Sequence, residues 1–72
     1  MKFFHIVFDK KGYELMKKFL ENNKELYHIV MATSQSLYQQ IKKEISPINV
    51  EVIFDFDTGA EKMLSADKVV VW

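Results

Sequence analysis

Four short runs of strand-forming apolar residues recur along this chain, and the segments between them carry apolar residues at helical spacing. The alternation reads βαβαβαβ and so predicts an α/β domain. Consecutive strands joined by helices pair in parallel, because a parallel pair needs a crossover connection of a dozen or more residues. With no linker, internal repeat or low-complexity tract, residues 1–72 are expected to form one domain.

The first run, Lys2-Phe3-Phe4-His5-Ile6-Val7-Phe8, is almost unbroken, the pattern of a central strand covered on both faces. Asp9 then stands where a helix N-cap is wanted, and Tyr13, Met16, Phe19 and Leu20 mark a buried helical stripe that ends near Asn22-Asn23. Lys10, Lys11, Glu14, Lys17, Lys18 and Glu21 fill the remaining positions as a self-compensating solvated face. Leu26 to Ala32 repeats the first run, followed by the hydroxyl-rich Thr33-Ser34-Gln35-Ser36 and a second helix with Leu37, Ile41 and Ile45 inward. Pro47 prevents that helix from continuing through Ser46.

From Asn49 to Phe56 the pattern alternates, with Val50, Val52, Phe54 and Phe56 on one face and Asn49, Glu51, Ile53 and Asp55 on the other. Thr58-Gly59-Ala60-Glu61 has capping-box spacing ahead of a short third helix, and Val69 to Trp72 is the last strand. The predicted strands therefore cover residues 2 to 8, 25 to 32, 49 to 56 and 68 to 72. Right-handed crossovers suggest the order 2-1-3-4, the start of a flavodoxin-like parallel sheet, with helix one on one face and helices two and three on the other.

That order leaves apolar sheet surface under-covered on the helix-one side of strands three and four. Glu51 and Ile53, joined by whichever of Val70 or Trp72 shares their face, are the expected interface residues. The partner would be another protein or a second copy of the chain, as a homodimer. Composition favours a partner of this kind: ten Lys balance ten Asp plus Glu and there is no Arg, so neither nucleic acid nor an anionic membrane is an expected partner. With no cysteine, no disulfide or thiolate metal site can supplement so small a core. No apolar run approaches the ~20 residues of a membrane span and no cleavable leader is evident, so a cytoplasmic location is expected.

Ligands of open parallel sheets bind beyond the carboxyl ends of the strands. Those ends carry Asp9, Asp55 and Asp57, and carboxylates gathered at one edge can hold Mg²⁺. Capping competes for two of them: Asp9 and Asp57 are expected to cap helices, which leaves Asp55 free. Thr33 and Ser34 open helix two and form a weak candidate anion site. His5 and His28, aligned by their apolar runs, fall side by side on one face as a candidate metal pair or pH-sensitive pair. Nothing in the sequence places a His near the acidic edge for nucleophilic catalysis.

Val52-Ile53-Phe54-Asp55-Phe56-Asp57-Thr58-Gly59 resembles the first motif of haloacid-dehalogenase-type phosphatases, in which the two Asp act as nucleophile and acid/base. In that family the motif follows the first strand, whereas here it follows the third. Asp9 with Asp55 or Asp57 is similar to the acidic sites of response-regulator receiver domains, which carry a pair of acids where this chain has Asp9 followed by Lys10. Both resemblances imply a small-ligand or Mg-phosphate domain. The residues by themselves favour a small non-enzymatic interaction module, with no resident cofactor.

Overall fold

The computed structural model describes residues 1–45 and 49–72. Strands β1 (Lys2–Val7), β2 (Tyr27–Ala32), β3 (Val50–Ile53) and β4 (Lys68–Val71) alternate with helices α1 (Lys10–Glu21), α2 (Gln35–Glu44) and α3 (Phe56–Leu64). All neighbouring strands pair in parallel, as the alternation predicts. The role assigned to Pro47 lies outside the described residues. No described helix is long and apolar enough to cross a membrane.

The strand order is β3-β2-β1-β4, which corrects the expected 2-1-3-4 and with it the flavodoxin-like arrangement. β1 and β2 are the interior strands, in the register Lys2 with Tyr27 through Val7 with Ala32. Residues 28–32 are all buried, as suits a strand with neighbours on both edges and helices on both faces. β3 and β4 are the edges. The order equals the first four strands of the doubly wound 3-2-1-4-5-6 sheet.

Because β1, β2 and β3 advance in one direction, right-handed crossovers place α1 and α2 on the same face. Their core there joins Val7, Val30 and Ala32 of the sheet to Tyr13, Met16 and Leu20 of α1 and Leu37 and Ile41 of α2. The β3-to-β4 connection reverses direction and carries α3 to the opposite face. A smaller core there contains Phe4, Ile29, Met31 and Ile53, with Ala66 packed against it. Helix three is thus alone on its face, where the sequence had placed it beside helix two.

A part-buried hydrogen bond ties the paired helices: the Tyr13 hydroxyl donates to Glu44 Oε1 at 2.7 Å. Burial, reinforced by this carboxylate, pushes the Tyr13 phenol far above its usual range. The same bond, with help from Gln40 and Lys17, holds the Glu44 carboxyl low. On the other face Gly59 of α3 sits over Met31 and Ile53, so close that an added Cβ would lie 2.5 Å from the Met31 sulfur. Lys62, further along α3, reaches Glu51 of β3 at 3.0 Å.

Candidate functional site

The acidic edge is built differently from its expected form. Asp9 does cap α1, accepting from the Gly12 N–H at 2.8 Å. Asp55, expected to be free, is the N-cap of α3: it accepts from the N–H groups of Asp57 and Thr58 and from the Thr58 hydroxyl at 2.7 Å. These bonds, the hydroxyl's foremost, hold its carboxyl below the usual range. Asp57, expected to cap, is exposed in the first turn of α3, where an acid also complements the helix dipole. Since Thr58 serves Asp55 as a donor, the capping box read at Thr58 lies three residues too late.

The strand order also separates the acids. β2 stands between β1 and β3, so Asp9 and Asp55 follow strands that run roughly 9–10 Å apart. Among the described residues no group of three or more His, Cys, Asp or Glu is placed to hold a metal ion. The expected anion site is likewise engaged. Ser34 caps α2 by accepting from the Leu37 N–H at 3.2 Å, and the Thr33 hydroxyl donates to the Val7 carbonyl at 3.2 Å. At the β1–α1 turn, Asp9-Lys10-Lys11-Gly12 offers a carboxylate where a phosphate-binding loop offers glycines and bare N–H groups.

His5 and His28 do share one face of the sheet, pointing into the α1–α2 side, but as diagonal neighbours: His28 stands beside Phe3 and His5 beside Val30. Both are essentially inaccessible to solvent. Trp72 joins them, since its indole N–H donates to His5 Nδ1 at 2.9 Å. His5 Nε2 is 2.9 Å from His28 Nδ1, and His28 Nε2 is 2.8 Å from the Asn23 carbonyl oxygen.

The two ends of this chain fix every proton in it. An indole can only donate, so His5 Nδ1 is bare and His5 Nε2 carries the proton. A carbonyl can only accept, so His28 carries its proton on Nε2 and receives the His5 N–H on Nδ1. All four ring nitrogens are therefore occupied by hydrogen bonds, and the pair is saturated without a metal. Phe3 and Phe19 pack against the rings, at centroid distances of 5.5 to 6.0 Å. Burial, with His28 alongside, pushes His5 down to about 4. Trp72 gave no signal in this respect, because its register against β1 depends on a strand pairing that the residue pattern does not encode.

The four expected interface residues do not form one surface. Glu51 and Ile53 lie on the α3 face at the β3 edge, where Lys62 and the Tyr27 hydroxyl engage Glu51 and Ile53 is buried. Val70 pairs beside His5, and Trp72 packs into the α1–α2 core at the other edge of the sheet. The uncovered sheet surface is instead on the α3 side of β1 and β4. Val69 and Val71, in register with Phe4 and Ile6, are 46% and 63% exposed, and Phe8 beyond them is 57% exposed. Exposed Phe54 and Phe56 form a separate apolar surface beside Tyr38 at the end of β3.

No protein-family model matches the chain, and neither a curated protein nor a solved structure matches it significantly.

Proposed function

We propose that this domain is a non-catalytic interaction module whose partner is a second copy of itself, joined through the open edge of β4. The observation that carries the reading is the exposure of Val69 and Val71 on one face of an edge strand. An unpaired edge already presents backbone N–H and C=O groups to another strand, and native edges are usually guarded by charge, proline or a bulge. The β3 edge has such a guard in Glu51 and Lys62. β4 has Lys68 at its start and then three valines.

The strand is also self-complementary. Two copies paired antiparallel about Val70 set Val69 of one opposite Val71 of the other, twice, on the same face of a continuous sheet. A two-fold interface requires just this reciprocity, residue i meeting j and j meeting i. A formal net charge of zero adds no repulsion between copies. The apolar surface of Ile6 and Phe8 extends the contact away from the strand itself.

Sedimentation equilibrium at micromolar concentration tests the reading. A dimer is expected that Val71→Lys weakens at least tenfold and that Phe56→Lys leaves intact. A monomer at these concentrations, or a dimer disrupted by Phe56→Lys alone, would contradict it.

A further inference from the structure

We propose that the hydrogen-bond chain Trp72–His5–His28–Asn23 is an acid-sensitive latch on the end of β4, and that protonating it frays the edge through which two copies associate and so separates them. The regulatory half of this inference rests on the self-association reading; the latch itself rests on the hydrogen-bond geometry alone.

The geometry has a simple consequence for one added proton. As built, each N–H faces a bare acceptor from the indole to the Asn23 carbonyl. A proton added to His5 Nδ1 faces the Trp72 N–H, donor against donor. A proton added to His28 Nδ1 faces the His5 N–H, and His5 relieves that clash only by moving its own proton to Nδ1, which again faces the indole. Every path ends at Trp72, because the indole is the member that can never accept. Both ends of the hydrogen-bond chain, Trp72 and Asn23, are partly exposed while both imidazoles are sealed, and of the two ends only Trp72 meets the added proton donor against donor, so it is the group that leaves.

The surroundings offer the cation little compensation. Around His5 stand Phe3 of β1, Phe19 of α1, His28 of β2 and Trp72 at the end of β4, none of them charged in the neutral state. The charged groups that line the groove beside His28 are Lys17, Glu21 and Lys24 from α1 and the turn after it, and Glu44 from α2. They comprise two cations and two anions, and Glu44 is already engaged by Tyr13, Lys17 and Gln40. The depressed basicity of His5, titrating near 4, agrees with this environment.

Release of the indole has a defined mechanical result. The backbone N–H of Trp72 donates to the Ile6 carbonyl at 3.0 Å, and the Trp72 backbone rests against Gly12 of α1. Val71 is held between these contacts and the rest of β4. Once Trp72 leaves, the half of β4 that presents Val71 frays, and its pairing with Val69 of a second copy is lost.

The experiment follows the two histidine C2–H signals, the single indole N–H and the β1 and β2 amides by NMR from pH 7 to pH 4, with sedimentation at each end. At pH 7 both imidazoles should be Nε2–H tautomers and the protein dimeric. As His5 titrates, the indole signal should shift in step while the β1 and β2 amides persist, and the dimer should dissociate. Trp72→Phe keeps an aromatic ring in place but removes the N–H, and should raise the His5 midpoint toward 6.5. An indole indifferent to His5, or loss of all amide signals together, would overturn the latch and leave the association standing. A protein monomeric at pH 7 whose indole still follows His5 would overturn the association and leave the latch standing. A dimer that survives indole release would overturn the coupling between them.

Discussion

Gly12 lies where α1 meets the backbone of Trp72, and a Cβ built on it would sit 3.0 Å from the Trp72 carbonyl carbon and 3.1 Å from its oxygen. Those are backbone atoms of the residue after β4, whose N–H is bonded to the Ile6 carbonyl at neutral pH, so Gly12→Ala should destabilise the fold by about 1–3 kcal/mol, as overpacking does. Gly59→Ala meets a closer atom at 2.5 Å, but that atom is the sulfur of Met31 at the flexible part of its side chain. The gain in helix propensity, about 1 kcal/mol, offsets part of the strain, so Gly59→Ala should be the milder substitution. Urea unfolding of the two variants checks the ranking. His5 supplies the pH dependence at this scale. Its basicity is lowered on folding, so the unfolded chain takes up the proton first and stability, full above about pH 6.5, falls as the pH drops toward 4. The loss across that window should reach about 3 kcal/mol, and urea midpoints at pH 7, 6 and 5 should decline in that order. A flat profile above pH 5 would contradict the assignment.

At the scale of the elements, strands and helices were legible because each buried run has a period and each helix start has a capping residue. Asp9 illustrates the cap: Asp9→Ala removes the acceptor of the Gly12 N–H and should lower stability by about 1 kcal/mol, measurable by thermal or urea unfolding. The start of α3 was harder to read. Asp55, Asp57 and Thr58 all suit an N-cap, and what decides is that the Thr58 hydroxyl can donate to Asp55, which makes Asp55 the better acceptor. The strand order was misread although a signal for it existed. Residues 28–32 form an unbroken apolar run, fit for an interior strand, while β3 alternates and carries Glu51, fit for an edge. The order 2-1-3-4 makes strand three interior and strand two an edge, against both patterns. The His5–His28 contact survived that error because it depends only on β1 and β2 being neighbours, with the two residues diagonal on one face. The acidic cluster did not survive, because it needed β1 and β3 to be neighbours.

For the whole molecule, one helix on the α3 face leaves the sheet surface of β1 and β4 uncovered, while two helices seal the other face. Sequence reasoning from helix count reached an under-covered face but put it on the wrong side, since the side follows from the point at which the chain reverses across the sheet. A small core has little margin for exposed valines, so covering Val69 and Val71 by a second copy should also stabilise the fold. The melting temperature should therefore rise with protein concentration, and that rise should vanish in Val71→Lys. Self-association turns on the β4 edge, and the most direct measurement is an isotope-filtered NMR experiment on a mixture of labelled and unlabelled chains at pH 7. Contacts between the Val69 methyls of one copy and the Val71 methyls of another are expected. Intermolecular contacts confined to Phe54 and Phe56, or none between the valines at concentrations where the protein is dimeric, would contradict it.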